Sequence, residues 1–351
     1  MAKKKPDDAA AEAERRFKAD LKAGTLGSFY IICGEEAFLR SHYVELATKK
    51  LTDGPAGEFN FHRFSADDCT PQALADAIDA MPMMAERTLV RVDDVDLFKQ
   101  PEGAREQYAA ILSDIPDYCC VLFVYDTVEF KINSTMKKLA AAVKEHAQIV
   151  SFDKQSERSL CAWITRHFRA HGKSVTDELC QYLIFRTDGL MTTLGGEIDK
   201  IAAYQEGEAI TRGAIDAVVI PALSAQTFDI SDAVVNRDFE KALFKLQELY
   251  AMQTDPIVVL GAIGAQLRRL YYARVILSSG GGQKELMELT GLKSYPAGLT
   301  MTAARRVTDR FCQSAIQLVL DTDLSMKTSA GEQEQLLELL LVRLAQEAQH
   351  G

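Results

Sequence analysis

The sequence contains 351 residues, a length that suggests two or three domains. Of these residues 47% are hydrophobic and 26% charged, which is typical of a globular protein. Its net charge of −10 argues against a protein that holds DNA by bulk electrostatics, so any contact with nucleic acid would need a local basic face. The seven cysteines are scattered without the spacing of a disulfide framework, and the longest apolar run, residues 257–265, is too short to span a bilayer. We therefore expect reduced thiols, a cytoplasmic location and no membrane contact.

Residues 1–15 are charged and rich in alanine, and we expect them to form a flexible N-terminal tail. The three lysines at its start could contact nucleic acid, but a solvated tail is the favoured interpretation.

Residues 16–153 alternate between two periodicities, which predicts an α/β domain. Apolar runs predict strands at 29–33, 59–64, 88–92, 119–125 and 149–152. Helical periodicity predicts helices at 36–51, 71–81, 103–112 and 134–143. In the first helix the expected buried stripe is Phe38, Leu39, Tyr43, Leu46, Ala47 and Leu51. Strands separated by helices predict right-handed crossovers and a mostly parallel sheet.

The strand signal stops after residue 152, and the rest of the chain is predicted to be helical. Residues 154–222 predict a small helical domain with helices at 156–171, 176–186, 191–204 and 211–219, followed by a hinge at 221–225. Residues 223–351 predict a larger all-α domain with helices at 230–236, 239–252, 257–278, 284–290, 302–322 and 333–346.

The corner after the first predicted strand lacks a phosphate-binding sequence. A working phosphate loop would read G-x-x-x-x-G-K-[ST], so that backbone amides and a lysine surround the phosphates. This chain continues with Gly34, Glu35 and Glu36 and has neither the second glycine nor the lysine. The two carboxylates would repel a polyphosphate. We expect a domain shaped like an NTPase that binds neither nucleotide nor any other cofactor.

Four stretches together resemble the delta-subunit family of bacterial DNA polymerase III, whose members open the sliding clamp. Residues 29–39 resemble the family's opening strand, its G-x-[ED] sequence and the helix that follows, and residues 80–90 resemble its apolar loop and the strand led by arginine. Residues 196–204 are similar to the family's N-E-x-x-K-L pattern. Residues 265–270 and 321–327 are similar to its Q-x-R helix and its late D…K turn. Gly196 stands where the family often has asparagine, and the apolar loop holds methionines where leucine and phenylalanine occur in other members.

This resemblance implies an AAA+-like parallel-sheet domain without a functional P-loop, a small helical lid and an all-α collar. It also implies a clamp-loader subunit that binds and opens the sliding clamp without hydrolysing ATP, within a polymerase III holoenzyme that is a DNA-directed DNA polymerase and nucleotidyltransferase. The implied partners are the clamp, other loader subunits bound through the collar, and primer–template DNA.

Met83 and Met84, with Pro82 and Met81 beside them, are the predicted clamp-binding residues. Large apolar groups in a loop are unusual unless something covers them, and the resemblance implies that a hydrophobic clamp pocket does so. The alternative is that both methionines pack into the core of their own domain.

A basic face is the second candidate site. Between residues 266 and 310, eight basic residues stand against three acidic ones. The members that could contact DNA or a neighbouring subunit are Arg268, Arg269, Tyr271, Tyr272, Arg274, Arg305 and Arg306. The alternative is a solvated, ion-paired helix surface.

Signals for catalysis are weak. Asp126 resembles the acid that ends a Walker B strand, but the usual second acid is absent, so a turn residue is favoured over a magnesium ligand. The six histidines show no metal-ligand spacing, and we predict no metal site and no catalytic residues. A nucleotide-dependent enzyme with an atypical phosphate loop, either an ATPase or a nucleotidyl transferase, is the second candidate function.

Overall fold

The structure is a computed structural model that describes residues 6–54, 56–328 and 332–350. The chain divides between Gln155 and Ser156 into two compact units. The boundary between the sheet domain and the helical part is thus within two residues of the sequence-based one.

The described part of the first unit contains a five-stranded sheet and five α-helices, with a short 3₁₀ helix at Gly57–Asn60. The strands are β1 (Phe29–Cys33), β2 (Phe61–Phe64), β3 (Thr88–Asp93), β4 (Cys119–Val124) and β5 (Gln148–Ser151). The helices are α1 (Pro6–Ala23), α2 (Ala37–Leu51), α3 (Pro71–Asp79), α4 (Glu102–Ser113) and α5 (Lys137–His146).

All strand pairs are parallel, in the order β2-β3-β4-β1-β5, which confirms the predicted α/β fold. Successive side chains of β1 point to opposite faces of the sheet and enter different cores. Phe29 and Ile31 pack with helices α3 to α5, whereas Tyr30 and Ile32 pack with α1 and α2. Every residue of β4 is buried, as expected for a central strand that is covered on both faces.

Three expectations about the first unit are wrong. The predicted tail is helical from Pro6 onward, since α1 anchors Phe17 and Leu21 in the core beneath the sheet; residues 1–5 lie outside the described residues. The predicted buried stripe of α2 is also displaced: Leu46 is exposed, whereas Arg40 is buried because it has ionic and backbone partners. The predicted strand at 59–64 begins only at residue 61, after the 3₁₀ helix.

In its described residues the second unit is built from helices joined by short connections, with one isolated parallel bridge between Ser174 and Ala209. Its first four helices are α6 (Glu157–Ala170), α7 (Asp177–Arg186), α8 (Met191–Tyr204) and α9 (Arg212–Val218). The remaining helices are α10 (Leu223–Val235), α11 (Phe239–Ala251), α12 (Pro256–Ser278), α13 (Gln283–Thr290), α14 (Ser294–Ala304), α15 (Asp309–Thr328) and α16 (Gln333–His350).

The predicted helix at 302–322 is wrong. It corresponds to parts of α14 and α15, which are separated because Thr308 accepts a hydrogen bond from the Phe311 amide and starts a new helix. Helix α14 was missed because it contains Pro296 and Gly298; the proline lies in the first turn, where its missing N–H removes no helical bond. The expected hinge at 221–225 is also shorter, since α10 already begins at Leu223.

Helices α7 and α10 pack on each other within the second unit. Phe185 and Phe228 form an edge-to-face pair with ring centroids 5.4 Å apart, and Arg186 Nη1 lies 2.6 Å from Asp229 Oδ2. These contacts join helices that sequence analysis assigned to different domains. The division at residue 222 therefore stays a prediction.

Among the described residues, no single helix combines the length and apolar character needed to cross a membrane. Helices α9 and α10 satisfy the length and composition criteria only as a pair, and that pair is bent by 115°.

Candidate functional site

The methionine loop, residues 80–87, joins α3 to β3 and therefore lies at the amino edge of the sheet. Helix α3 ends at Asp79, before the predicted residue 81, because Ala80 adopts an extended backbone conformation. Phe59, which comes just before β2, lies at the same edge because β2 and β3 are adjacent parallel strands. The loop and Phe59 thus lie at one corner of the first unit.

Four large apolar side chains at this corner face solvent. Met81 is 77% exposed, Met83 54%, Met84 85% and Phe59 69%. The alternative that Met83 and Met84 are sealed in the core of their own domain is therefore wrong. Exposed apolar side chains gathered at one corner are typical of a surface that binds another protein.

The loop backbone is fixed by the side chain of Asn60, which is 1% exposed. The Met83 amide donates to Asn60 Oδ1 at 2.6 Å, and Asn60 Nδ2 donates back to the Met83 carbonyl at 2.8 Å. Nδ2 also donates to the Ala56 carbonyl at 2.9 Å. One side chain therefore satisfies both backbone groups of Met83. Sequence analysis missed Asn60 because a single asparagine before a strand carries no distinctive signal.

Arg87 holds the other end of the methionine loop. Its guanidinium donates to the carbonyl of Leu26, to that of Gly27 at 3.0 Å and to that of Cys119 at 3.1 Å. Between the two anchors, Met84 has a φ of +50°, a left-handed conformation that is uncommon for a residue with a Cβ. Such a conformation persists only where the surrounding structure imposes it.

The strand-to-helix corner, residues 34–36, lies at the opposite, carboxyl edge of the sheet, where open α/β sheets bind ligands. Gly34 has a φ of +112°, and a Cβ at this position would lie 2.4 Å from the Phe152 carbonyl oxygen. The Glu36 amide donates to that same carbonyl at 2.8 Å. Gly34 and the Glu36 amide thus allow the segment after β5 to pack closely against this corner.

Glu35 and Glu36 occupy different environments. The Glu35 carboxylate lies 3.0 Å from the Lys154 ammonium, with both side chains largely exposed, whereas Glu36 is 2% exposed. Both precede the first turn of α2, where negative charge interacts favourably with the helix dipole. A phosphate placed at this helix end would meet the exposed Glu35 carboxylate.

The charged groups that a nucleotide site would use are paired with each other. Arg40 Nε lies 2.7 Å from Asp126 Oδ1, and Arg40 Nη1 donates to the Gly34 carbonyl. The Arg40 side chain is 5% exposed. The pair neutralises the carboxylate that resembles a Walker B acid and argues against its use as a magnesium ligand.

The turn that follows β4 is organised by Asp94. Its carboxylate accepts hydrogen bonds from the amides of Asp126, Thr127 and Val128 and from the Thr127 hydroxyl, at 2.7–3.2 Å. Burial raises the pKa of Asp94, but these hydrogen bonds together lower it further, so that it lies below its ordinary value. Asp126 is therefore a residue of a well-ordered turn.

The residues of the predicted basic face that lie on α12 differ in exposure. On α12, Arg268 and Tyr272 are exposed one turn apart, while Tyr271 packs against the helical core. Arg274 Nε is paired with Asp309 Oδ1 at 2.9 Å.

The remaining arginines of the predicted face differ in environment. Arg269 is half-buried and lines a cavity of about 190 Å³ together with Phe185 and Lys293. Burial, and then the neighbouring Arg268, lower the pKa of Arg269. Beyond α14, Arg305 is exposed, and Arg306 Nη1 donates to Asn236 Oδ1. Arg268, Tyr272, Arg305 and Arg306 are thus the exposed members of the predicted set, and Arg306 is already hydrogen-bonded.

Comparison with known proteins gives two family matches. Residues 30–153 match the model described as DNA polymerase III, delta subunit, and residues 224–344 match that of the DNA polymerase III delta subunit, C-terminal domain. The chain belongs to the DNA polymerase III delta-subunit family.

Relatives of this delta-family chain match along most of their length. DNA polymerase III subunit delta of Bacillus subtilis (strain 168) is 25% identical over 331 residues, which cover 92% of this chain and 94% of the relative. The probable DNA polymerase III subunit delta of Aquifex aeolicus (strain VF5) is 20% identical over 273 residues, 76% of each chain.

The solved structure of the Bacillus subtilis DNA clamp loader delta protein is similar to the delta-family chain in fold. Its TM-score is 0.54 at 21% identity, with 95% of this chain and 99% of that chain covered. This similarity supports the α/β domain followed by helices that sequence analysis predicted.

One sequence-based expectation about the delta-family chain is wrong. The histidines do have metal-ligand spacing: His167 and His171 lie one turn apart on α6, next to Asp199 on α8. The spacing of four residues on one helix is the signal that was overlooked.

Proposed function

We propose that this delta-family chain binds and opens the DNA sliding clamp as a subunit of the replicative clamp loader, without itself hydrolysing ATP. The observation that carries the proposal is the exposure of Met83 and Met84 in a loop whose backbone is fixed by Asn60 and Arg87. The relatives named DNA polymerase III subunit delta and the similar clamp loader delta structure support it.

The methionine loop supplies the binding energy in this proposal. Met83 and Met84 are the anchors, and Pro82 and Met81 complete the apolar surface. Complete burial of a methionine side chain contributes about 2 kcal/mol. Because Met84 is 85% and Met83 54% exposed before binding, we expect the pair to contribute about 3 kcal/mol.

Opening follows if the loop binds the open clamp more tightly than the closed clamp, because a ligand shifts a conformational equilibrium only through such a difference in affinity. The fixed loop backbone supports this mechanism, since a rigid apolar wedge distinguishes between two pocket shapes better than a flexible one does. Nucleotide bound to other loader subunits would then control access to the loop.

The strand-to-helix corner supports the proposed lack of ATPase activity. Gly34 allows the close approach of the backbone at Phe152, Glu35 and Glu36 precede helix α2, and Arg40 is paired with Asp126. The alternative, an ATPase or nucleotidyl transferase with an atypical phosphate loop, would require these groups to separate. Calorimetric titration of the full chain with Mg-ATP should show no binding, and micromolar affinity would favour the alternative.

The helical second unit is the proposed site of assembly with other subunits of the polymerase III holoenzyme in the cytoplasm. Its collar helices would contact neighbouring loader subunits, and Arg268, Tyr272 and Arg305 are the accessible groups for primer–template DNA or for a neighbour. Arg269, Tyr271, Arg274 and Arg306 are more enclosed or already bonded, so we expect smaller direct contributions from them.

The test of clamp binding is the double variant Met83→Ala with Met84→Ala. A loss of about 3 kcal/mol corresponds to a Kd about 100-fold weaker for the cognate sliding clamp. Surface plasmon resonance with immobilised clamp and the full chain measures this change directly, and circular dichroism shows whether the fold is retained.

Met252→Ala is the matched control, because Met252 is 51% exposed and belongs to the second unit rather than to the methionine loop. We expect clamp affinity close to that of the unaltered chain. An unchanged Kd in the double variant would contradict the proposed role of the methionine loop.

A further inference from the structure

Two helices of the second unit bring together three groups that can ligate a metal. Helix α6 carries His167 and His171, and the neighbouring helix α8 carries Asp199. One ligand atom from each residue lies within 4.8 Å of the other two. We propose that these three side chains bind a divalent transition-metal ion of the zinc class.

The interatomic distances fit a tetrahedral ion. Asp199 Oδ1 lies 2.9 Å from His171 Nε2 and 3.4 Å from His167 Nε2. Zinc bonds to imidazole nitrogen and carboxylate oxygen are about 2.0–2.1 Å long, so two ligand atoms of a tetrahedral zinc ion lie about 3.3 Å apart. Small side-chain rotations therefore suffice to bring both observed separations to that value.

The type of ligand atom selects the class of ion. Two imidazole nitrogens and one carboxylate oxygen suit Zn²⁺, Co²⁺ or Ni²⁺, whereas Mg²⁺ and Ca²⁺ prefer sites made only of oxygen. Three protein ligands leave the fourth tetrahedral position to water. All three side chains reach the surface, with exposed fractions of 32% for His167, 41% for His171 and 59% for Asp199, so an ion can enter without local unfolding.

Without metal, the same groups form a hydrogen-bonded pair. An ionised carboxylate can only accept hydrogen bonds, so the N–H group at His171 Nε2 is the donor and Asp199 Oδ1 the acceptor. A metal ion would replace that proton and bind the lone pair of His171 Nε2. The His167 imidazole would then supply a second nitrogen ligand, which a simple pair of His171 and Asp199 would not need. Next to the site, the ring centroids of Trp163 and His167 lie 4.9 Å apart, and this contact restricts rotation of the His167 imidazole.

Metal binding would connect α6 directly to α8. The buried side chains of these helices, Phe168 and Ile198 among them, belong to the interior of the second unit. A bound ion would therefore raise the thermal stability of this region, because any ligand that binds only the folded state stabilises it.

The experiment uses the full chain without a polyhistidine tag, treated with chelator and then titrated with Zn²⁺ by calorimetry. We expect one ion per chain. Co²⁺ should give the intense visible absorption of a tetrahedral complex, and Zn²⁺ should raise the melting temperature. Mg²⁺ in place of Zn²⁺ should show no binding.

Two variants and a control assign the site. Asp199→Asn should weaken Zn²⁺ binding at least tenfold, and His167→Ala with His171→Ala should abolish both the heat of binding and the Co²⁺ absorption. His146→Ala removes an exposed histidine at the end of α5 in the first unit and should leave both signals unchanged. The proposal is overturned if the unaltered chain binds no Zn²⁺, or if binding persists in the double histidine variant.

Discussion

Replacing Asn60 by aspartate tests whether the methionine loop is held in place by hydrogen bonds. The substitution conserves size and keeps an acceptor for the Met83 amide. It replaces the Nδ2 group, which donates to the carbonyls of Met83 and Ala56, by a second oxygen. Both carbonyls then face a carboxylate in a position that is 1% exposed.

The expected cost follows from these contacts. A hydrogen bond contributes about 1 kcal/mol, and a buried polar group left without a partner costs about 1–3 kcal/mol. With two donations lost, we expect local opening of the loop to become easier by about 3 kcal/mol, which corresponds to about 100-fold faster hydrogen exchange of the Met83 amide. We also expect clamp affinity to fall about tenfold, because backbone freedom must then be lost on binding, at about 1–2 kcal/mol per residue.

Hydrogen exchange read out for the loop is the appropriate assay, because a chain of two units need not unfold in one step. Asn133→Asp is the matched control: Asn133 is exposed and uses only its oxygen, as the acceptor for the Thr135 amide and hydroxyl. Exchange at Met83 that rises no more than in this control would refute the positioning role of Asn60. A loss of clamp affinity with unchanged exchange would also refute it, since Asn60 would then act by direct contact.

Two further predictions concern the opposite edge of the sheet. Arg40→Gln should destabilise the chain by about 2 kcal/mol, because Asp126 loses a charged partner, and calorimetry should still show no ATP binding; a gain of ATP affinity would contradict our interpretation of the corner. Asp94→Asn should lower the melting temperature at neutral pH. Since the folded pKa of Asp94 lies below the unfolded value of about 3.9, its stabilisation is present above that value and lost as the pH falls through the folded pKa. The difference in melting temperature between the unaltered chain and the variant should therefore shrink on acidification, and a difference that grows there would contradict the assignment.

The sheet could be predicted because its strands carry a local signal. Strand β4 is apolar at every position, and proline and threonine mark the start of α3 at Thr70, whose hydroxyl accepts from the Ala73 amide. Helix α14 was missed because its proline is acceptable only in a first turn, a position that cannot be known before the helix boundary is known.

The candidate site could be predicted only in part. Met83 and Met84 were identified by residue type and by resemblance, and their exposure agrees with a binding surface. Asn60 lies 23 residues away from Met83 along the chain, and only the pairing of β2 with β3 brings the two together. Arg40 was not among the predicted buried residues of α2, because helical periodicity does not show that the Asp126 carboxylate, at the end of another strand, is within reach.

A loop that presents methionines to a partner must resist folding back onto its own domain. Burial against the domain would stabilise the side chains by as much per unit area as burial in a partner, so a flexible loop would lose most of its binding energy to this competition. In the proposed function the hydrogen bonds of Asn60 and Arg87 would hold the loop against that collapse, and the left-handed backbone of Met84 is consistent with such a constraint. The ordering cost would thus be incurred on folding, and the energy of burying Met83 and Met84 would remain for the proposed contact with the clamp.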